Sequence, residues 1–250
     1  METITSRKNP MIQQLRLLAR NGAARRDAGC FVCDGEKLLH EALQSGARIE
    51  TVLWGEEPTT ALPPEVRQAR APAELAAYAS PLANSPGPVF TVALPRHALP
   101  QRLERVIVLE SVQDPGNVGT VVRTADALGM DAVVLAGACA DLCSPKTVRA
   151  TMGAIFRQPV LACTLPELRT LLCAHELPLY GAALTAAARD LRAVSLRRAA
   201  VAVGSEGRGL SEDLLALCAG TIIIPMRPAA ESLNAAVAAS IVMWEMMRTE

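Results

Sequence analysis

Residues 105–136 read RVIVLESVQDPGNVGTVVRTADALGMDAVVLA. The stretch opens with the apolar run Val106–Leu109, passes through a loop that contains Pro and Gly, and continues into the helical pattern Val118–Leu128. It closes with a second apolar run, Ala132–Ala136. Two short apolar strands joined by a helix predict a βαβ unit, in which both strands lie parallel in one sheet. We therefore predict an α/β fold with a mainly parallel sheet covered by helices on both faces.

The same alternation continues to the end of the chain. Further strands are predicted at Val160–Cys163, Leu179–Ala182, Ala199–Val203 and Thr221–Ile224. Further helices are predicted at Pro145–Ile155, Glu167–Ala174, Glu212–Leu217 and Glu231–Met247. Ligands bind at the carboxyl ends of the strands in such sheets, so we expect a site in the loops after Leu109, Val203 and Ile224.

The first third of the chain is organised differently. It shows a helical pattern over residues 9–20, strands at Cys30–Cys33 and Thr51–Trp54, and a helix at Lys37–Ser45. More than half of the 17 prolines then fall between residues 58 and 104, where they exclude one long regular element. This change predicts two domains, residues 1–95 and 105–250, joined by a linker at 96–104.

Composition and charge exclude whole classes of function. The 250 residues include 25 basic and 25 acidic side chains, so the formal net charge is zero. Bulk positive charge cannot drive binding to nucleic acid, and an RNA partner needs a local basic patch. Such a patch is predicted in the first 27 residues, although a solvated charged helix explains the same residues equally well. Its members are Arg7, Lys8, Arg16, Arg20, Arg25 and Arg26.

Cysteines and apolar runs indicate a compartment. Seven cysteines without framework spacing fit a reducing environment. Cys30-x-x-Cys33 lies in a predicted strand without a second such pair, so we interpret it as two structural thiols and not as a redox or zinc site. Met1–Pro10 is polar and shows no signal peptide, and the longest apolar run, Ala235–Trp244, is half a membrane span. We expect a soluble, cytoplasmic protein with no membrane partner.

The first two loops carry polar groups where strands end. Asn117 can cap the helix after the first loop, and Arg123 near the same helix end suits a phosphate; a capped helix with a solvated Arg is the alternative. The second loop has three glycines in Gly204–Gly209, which allows close backbone approach to a ligand. It matches neither the dinucleotide pattern nor a P-loop, and a plain turn is the alternative.

The third loop combines Ile224-Pro-Met226 with Glu231-Ser-Leu-Asn234 at the start of a long helix. One face of that helix is apolar, which predicts core packing or a subunit interface. The apolar residues are Leu233, Val237, Ile241, Trp244 and Met247. The three histidines are scattered, and the chain has no HExxH, no GxSxG and no clustered metal ligands. Triad or zinc hydrolysis is therefore not supported, and we predict no metal.

Taken in order, the three loops resemble the sequence motifs of the SpoU-type (TrmH-like) RNA 2′-O-ribose methyltransferases in the SPOUT superfamily. The matching motifs are Asn117-x-Gly119-x-x-x-Arg123, Gly204-Ser-Glu206-Gly-x-Gly209-Leu-Ser and Ile224-Pro-Met-x-x-x-x-Glu231-Ser-Leu-Asn234. Residues 144–154 are similar to the family's segment between the first two motifs, and residues 4–37 to its substrate-binding domain, so the resemblance covers nearly the whole chain. The departures are Pro228 in place of a common Gly, Thr151 in place of Ser, and Cys33-Asp34 in place of a hydrophobic–acidic pair.

The resemblance implies a fold and a cofactor. It implies a C-terminal trefoil-knotted SPOUT methyltransferase domain, a small N-terminal α/β RNA-binding domain like ribosomal protein L30e, and a homodimer that binds S-adenosylmethionine (SAM) in the knot. The family holds the cofactor largely through backbone groups. The cofactor-binding residues carried over are Gly204, Ile224, Leu233, Met226 and Gly209. The catalytic residues carried over are Arg123, Asn117, Asn234, Glu206 and Ser232.

The implied activity is methyl transfer from SAM to a ribose 2′-oxygen of RNA. The N-terminal similarity favours ribosomal RNA of the large subunit over transfer RNA, and the nucleotide stays open. Arg123 either accepts the hydroxyl proton with help from a clamped phosphate or only fixes that phosphate, because a free Arg is a poor base. A non-catalytic ribosome-assembly protein is the rival from another class. An oxidoreductase is disfavoured because the first loop has only Gly116 and Gly119.

Overall fold

The structure is a computed structural model that describes residues 1–82, 85, 87–227 and 232–248. Pro228 and Glu231, which the sequence analysis singled out, lie outside these ranges. The chain divides into two compact units. One comprises Met1–Arg96 and Asp141–Phe156, and the other comprises His97–Ala140 and Arg157–Glu250.

The first unit is built on a five-stranded sheet. Its strands are β1 (Glu2–Thr3), β2 (Cys30–Asp34), β3 (Ile49–Trp54), β4 (Arg67–Arg70) and β5 (Val89–Ala93). Their order is β1-β4-β3-β5-β2, with β5 antiparallel to both neighbours and the other pairs parallel. Its helices are α1 (Pro10–Arg20), α2 (Gly22–Ala28), α3 (Glu36–Gln44) and α4 (Ala73–Ala79).

The predicted helix over residues 9–20 is confirmed and begins for a local reason. The Asn9 side chain accepts a hydrogen bond from the backbone N–H of Met11, and Pro10 occupies the first helical position, where no donor is needed. The periodic apolar residues Ile12, Leu15 and Leu18 are buried. The polar face of α1 is thereby left toward solvent.

Strand β2 separates the two predicted structural thiols. Cys30 belongs to one hydrophobic cluster and Cys33 to another, because side chains three residues apart in a strand point to opposite faces. The pair therefore cannot close a disulfide or hold one metal ion. Among the described residues, no group of three His, Cys, Asp or Glu side chains forms a candidate metal site.

A segment from the middle of the sequence packs in the first unit. Its helix α6 (Pro145–Thr151) is followed by a 3-10 turn, Ala154–Phe156, and side chains of both lie in the same cluster as Cys33. The prediction of one helix over Pro145–Ile155 is wrong at its end, because Met152 caps the helix in the left-handed conformation with a φ of +50°, and Gly153 follows with a φ of +95°. A Cβ atom at Gly153 would also lie only 2.8 Å from the side chain of Glu41.

The start of that segment is held by a buried arginine. Arg25 is 5% exposed, and its guanidinium donates to the Asp141 carboxylate at 2.5 and 3.2 Å and to the Leu18 carbonyl at 2.6 Å. Asp141 in turn accepts from the backbone N–H of Cys143. This ion pair fixes the turn that precedes α6.

The second unit carries a seven-stranded sheet in which every pairing is parallel. Its strands are β6 (Arg105–Glu110), β7 (Ala132–Ala136), β8 (Val160–Cys163), β9 (Leu179–Ala182), β10 (Arg189–Asp190), β11 (Ala199–Gly204) and β12 (Gly220–Ile223). Their order is β10-β12-β9-β11-β6-β7-β8. Its helices are α5 (Pro115–Ala127), α7 (Leu165–Ala174), α8 (Glu212–Leu215) and α9 (Ala235–Met247).

This arrangement confirms the predicted parallel α/β sheet and brings distant loops together. Alternate residues of β6 and β11 form a core with α7 and α8, whereas α9 contacts β6, β11 and α5. Because all strands run in the same direction, the loops after β6, β9, β11 and β12 lie at the same end of the sheet, where the strands have their carboxyl ends. No helix within the described ranges has the length and apolar character needed to cross a bilayer.

The Arg25–Asp141 pair gives a prediction about stability. The substitution Arg25→Met leaves the carboxylate and the Leu18 carbonyl without their donor. We expect the free energy of unfolding to fall by about 2–3 kcal/mol, less than for a fully buried pair, because the Asp141 side chain is partly exposed. Urea denaturation followed by circular dichroism measures this loss.

The control is Arg48→Met, which removes an exposed arginine paired with Glu50 in the same unit. It should change the free energy of unfolding by no more than about 0.5 kcal/mol. Equal losses from the two substitutions would contradict the role assigned to Arg25.

Candidate cofactor and active site

A cavity of about 420 Å³ lies at the carboxyl ends of three neighbouring strands, β9, β11 and β12. Its wall includes all five residues predicted to bind the cofactor. They are Gly204, Gly209, Ile224, Met226 and Leu233. Glu206 and Ser232 also line it. Most of the other lining side chains are apolar. A mainly apolar lining with a few polar groups is typical of sites for organic ligands.

The shape of the second loop depends on two glycines. A Cβ atom at Gly204 would lie 2.1 Å from the carbonyl oxygen of Gly209, so the loop folds back over the strand end with no space for a side chain. Gly209 has a φ of +67°, a conformation that favours glycine. Its N–H bonds to the Ser205 carbonyl at 2.8 Å and closes the turn. The backbone of this loop therefore forms the cavity wall directly.

One carboxylate oxygen connects the three loops. Oε1 of Glu206 accepts hydrogen bonds from Nδ2 of Asn117 at 2.5 Å, from the backbone N–H of Ala235 at 3.3 Å and from Nδ2 of Asn234 at 3.5 Å. Nδ2 of Asn234 also donates to Oδ1 of Asn117 at 3.0 Å. The structure thus brings together three predicted catalytic residues that are far apart in sequence.

The prediction that Asn117 caps its helix is wrong. Helix α5 begins earlier, at Pro115, and Oδ1 of Asp114 accepts from the backbone N–H of Asn117 at 2.9 Å. Proline is suited to the first helical position because it has no N–H to satisfy, so the cap falls on the residue before it. The Asn117 amide is consequently released for Glu206 and Asn234.

Arg123 lies farther along α5 than predicted. It follows Pro115 by eight residues, which corresponds to about 12 Å along the helix axis, so it is not at the helix N-terminus. Its side chain is exposed, and within the described ranges no hydrogen bond or ion pair holds its guanidinium. The structure places it on the helix that supplies Asn117 but not in the cavity lining. An exposed guanidinium remains available to an anionic ligand.

Asn234 directly precedes α9 and caps its N-terminus. Its Oδ1 accepts from the backbone N–H groups of Ala236 and Val237 at 3.0 and 3.2 Å. Helix α9 therefore begins at Ala235, later than the predicted Glu231. The two atoms of this amide therefore have different functions. The oxygen caps α9, and the nitrogen donates to Asn117 and Glu206.

The sequence analysis missed a buried carboxylate behind the site. Glu110, 7% exposed at the end of β6, accepts from the N–H of Ser211 at 2.7 Å and from its hydroxyl at 2.5 Å. Ser211 also caps α8. This contact fixes the far end of the glycine-rich loop beside the first loop. The available signal in the sequence was a glutamate at the end of an apolar strand. Its partner, Ser211, lies 101 residues away, so no local pattern could identify the contact.

It also missed the loop after β9. Ala183, Leu184 and Thr185 line the cavity, and Thr185 shares a hydrogen bond with Thr221 at 2.6 Å. Because β9 lies between β11 and β12, its carboxyl end has to face the same cavity. The strand order, which no local pattern carries, was the missing information.

The thiols near the site are not nucleophiles at neutral pH. Burial, together with the negative charge of Glu110, raises the pKa of Cys218 to about 11. Burial also raises the pKa of Cys139. Both groups stay protonated, whereas a nucleophilic cysteine acts as the thiolate. Neither thiol is therefore a candidate for a covalent intermediate.

The six basic residues predicted to bind RNA differ in their surroundings. Arg7, Lys8, Arg20 and Arg26 are exposed, and Arg16 is half-buried. Arg25 is buried in the pair with Asp141 and has no surface to offer a ligand. We therefore leave Arg25 out of the RNA-binding surface proposed below, because its guanidinium is engaged in structure.

Most of the predicted apolar stripe on α9 is exposed to solvent in the single chain. Trp244 is 66% exposed, and Val237, Ile241 and Met247 are exposed as well. The core interpretation of this stripe is therefore wrong for these four residues, since the opposite face of α9 is the one that packs on α5 and the sheet. The interface interpretation stays a prediction.

The parallel sheet, the glycine-walled cavity and the joined polar loops define the class of protein, an α/β protein with a site for an organic ligand at the carboxyl ends of its strands. The sequence profile of the SpoU rRNA Methylase family matches residues 104–244, and that of the MRM3-like substrate binding domain matches residues 9–81. The chain belongs to the SpoU rRNA methylase family.

Three similar proteins support this assignment. The 23S rRNA (guanosine(2553)-2′-O)-methyltransferase RlmP of Bacillus subtilis (strain 168) is 34% identical over 98% of this chain and 99% of its own length. The 23S rRNA (uridine(2479)-2′-O)-methyltransferase of Streptomyces viridochromogenes is 30% identical over 98% and 91%. A crystal structure of the SAM-bound rRNA methyltransferase from Sinorhizobium meliloti is similar with a TM-score of 0.87 and 26% identity, covering 98% of this chain and 97% of that one.

The cavity fits the cofactor of this family. Its volume of about 420 Å³ lies in the ~300–1,000 Å³ range of organic ligand sites. The apolar side chains suit a purine, and the wall at Gly204 exposes backbone because a side chain there would collide with Gly209. The residues that would hold SAM are the five predicted from the sequence together with the loop after β9.

The two functions of Asn234 give a prediction that separates stability from activity. Asn234→Asp keeps the capping oxygen but removes the donor and adds a second carboxylate beside Glu206. We expect methyl-transfer turnover to fall about tenfold or more, equivalent to ~1.4 kcal/mol, while the free energy of unfolding stays within about 0.5 kcal/mol of wild type. Asn234→Ala should lower turnover and also lose about 1 kcal/mol of stability.

The matched control is Asn21→Asp, because Asn21 caps α2 and has no such network. It should alter neither turnover nor stability. If Asn234→Asp turned over like wild type, the network would be structural only.

Proposed function

We propose that this chain transfers a methyl group from SAM to the 2′-hydroxyl of a ribose in large-subunit ribosomal RNA. The observation that carries the proposal is the junction of Asn117, Glu206 and Asn234 beside a glycine-walled cavity. In a chain of the SpoU family, this is where a cofactor and a ribose have to meet. Both named relatives act on 23S rRNA, one at a guanosine and the other at a uridine.

The cofactor supplies a methyl group on a sulfonium, which is already a strong electrophile. The chain therefore has to align the acceptor oxygen with that carbon and exclude competing water. The cavity wall from Gly204 to Gly209 orients the cofactor, and the network held by Glu206 fixes the Asn117 and Asn234 amides. We propose that these amides hydrogen-bond the ribose and that Ser232, which lines the cavity, assists them.

Arg123 is proposed to bind a substrate phosphate next to the target ribose. An arginine side chain supplies a positive charge and a planar fork of N–H donors that matches a phosphate. Its positive charge would stabilise the negative charge that develops on the 2′-oxygen as the hydroxyl proton leaves. The oxygen–carbon bond would form as the carbon–sulfur bond of the sulfonium breaks, which leaves a neutral thioether. The hydroxyl proton leaves to an oxygen of the bound phosphate or to water.

RNA capture is proposed for the N-terminal unit, which carries the MRM3-like substrate-binding match. Arg7, Lys8, Arg16, Arg20 and Arg26 supply its cationic surface. Their charge is local in a chain of zero net charge, so contacts to phosphates should dominate over bulk attraction. Because this substrate is ribosomal RNA, we place the enzyme in the cytoplasm.

We further propose that the chain forms a homodimer and that its methyltransferase unit is trefoil-knotted, as the family resemblance implies. The exposed stripe Val237, Ile241, Trp244 and Met247 supports the dimer. An apolar helix face of this kind is typical of surfaces that a partner covers. A second copy of the chain is the proposed partner.

The experiment that tests the function uses tritiated SAM with two undermodified transcripts, 23S ribosomal RNA and transfer RNA, offered separately. Alkali cannot cleave beside a 2′-O-methyl group. We expect label in an alkali-resistant dinucleotide from the ribosomal RNA. Label in single nucleotides would indicate base methylation, and label only in transfer RNA would overturn the substrate.

The same assay tests Arg123. Arg123→Ala should lower kcat about 100-fold or more, as for loss of a group that stabilises developing charge, and leave the affinity for SAM within about twofold. Isothermal titration measures the affinity. Arg169→Ala removes another exposed arginine of the same unit and should change neither value. Unchanged turnover in Arg123→Ala would remove Arg123 from the active site.

The dimer has its own prediction. Trp244→Glu places a charge in the centre of the exposed stripe, and burying it at an interface is costly. We expect sedimentation velocity to show a dimer for the wild type and a monomer for this variant, with both folded by circular dichroism. Leu17→Glu changes an exposed leucine of the other unit and should remain dimeric. A wild-type monomer would contradict the proposal.

A further inference from the structure

Two arginines share one aromatic ring in the N-terminal unit. The guanidinium carbon of Arg16 lies 3.7 Å from the centre of the Tyr78 ring, and that of Arg7 lies 4.4 Å from it. Arg16 also donates to the backbone carbonyl of Tyr78 at 2.5 Å. Both distances are within the range of cation–π contacts, so the ring holds two positive charges close together.

These two charges have no acidic counterpart in the part of the chain that the structure describes. Neither guanidinium forms an ion pair there, and the neighbouring Lys8 and Arg20 form none either. Like charges in proximity repel, and the tyrosine ring offsets only part of that repulsion. An anion beside either guanidinium would offset the rest.

Packing alone does not account for this arrangement. Helix α1 is already anchored by four buried side chains, Met11, Ile12, Leu15 and Leu18. Arg16 is sufficient to join α1 to α4 through Tyr78. Arg7 precedes the helix and is exposed, so its position over the ring is the feature that a structural role leaves unexplained.

We propose that Arg7, Tyr78 and Arg16 form a clamp for the phosphate backbone of RNA, in which Tyr78 is a positioning residue. Each guanidinium carries five N–H donors in a planar fork that matches a phosphate, and Arg16 spends one on the Tyr78 carbonyl. With two guanidiniums on it, the ring is not open to a stacked base. The clamp therefore contacts RNA without reading its sequence. This inference rests on the proposed function for its RNA ligand.

The test measures how full-length protein binds a labelled 20-nucleotide oligouridine between 50 and 200 mM KCl. Arg16→Ala should lower the slope of log affinity against log salt by about 0.7, the value for one phosphate on a single strand. Tyr78→Leu leaves the net charge unchanged, yet it should lower the slope by about 0.7–1.4 because both arginines lose their support. Tyr78→Phe keeps the ring and should behave as wild type.

Arg48→Ala is the control for charge, since it also removes one exposed cation of the same unit. The clamp is overturned if Arg16→Ala binds like Arg48→Ala, or if Tyr78→Leu keeps the wild-type slope while folded. It is also overturned if the wild type does not bind oligouridine at 50 mM KCl, or binds polyglutamate equally well. Should Tyr78→Leu not fold, Arg7→Ala takes its place and is expected to lower the slope by about 0.7.

Methylation of 23S ribosomal RNA separates this inference from the proposed function. Tyr78→Leu should raise KM for the RNA about fivefold to tenfold and leave kcat and the affinity for SAM unchanged, as expected when uniform binding is lost. Methylation with an unchanged KM would overturn the clamp and leave the function intact. Oligouridine binding that depends on Tyr78, without any methylation, would support the clamp and remove the function.

Discussion

A single carboxylate oxygen organises the catalytic unit. Oε1 of Glu206, in the loop after β11, accepts from groups in the segments after β6 and β12, so these three segments cannot move independently. Hydrogen bonds to an ionised acceptor are about twice as strong as neutral ones, which suits a junction that packing does not enclose. Gly204 and Gly209 make the junction possible for different reasons. A Cβ at Gly204 would collide with the backbone of Gly209, and Gly209 itself has a φ of +67°, which favours glycine.

The sequence predicted the elements of the second unit better than their arrangement. Apolar runs located most of its strands to within a residue or two, because a buried strand needs apolar side chains whatever its neighbours are. The two-residue strands β1 and β10 carry no such run, and the short helix α2 has no apolar periodicity of its own. The position of β11 between β9 and β6, and the packing of Asp141–Phe156 in the first unit, depend on long-range pairing that no local pattern contains.

The cofactor residues could be predicted from the sequence, whereas the hydrogen-bond and ion-pair partners of the polar side chains could not. The resemblance of three ordered motifs to the SpoU-type family carried over five cofactor residues, and all five line the cavity. The partner that each polar group chooses is not local. With Pro115 at the first helical position, Asp114 caps α5 and the Asn117 side chain is available to other partners. Arg25 is buried because it pairs with Asp141. Two arginines contact the ring of Tyr78. In each case a competing group decided the outcome.

These choices fit a reaction that needs alignment more than proton transfer. The cavity lining in the described ranges contains no histidine, and the thiols beside it stay protonated because burial raises the pKa of each. A catalyst with a general base would need a group that titrates near neutral pH, whereas the polar groups of the lining and the junction are amides, the hydroxyls of Thr185, Ser205 and Ser232, a carboxylate bound by donors and the guanidinium of Arg208. Such groups can orient a ribose and stabilise a developing oxyanion, and an electrophilic sulfonium requires little else. In the function proposed for this chain, the sulfonium cofactor would supply the reactivity, and the rigidity of the Glu206 junction is the property on which we propose that alignment of the ribose depends.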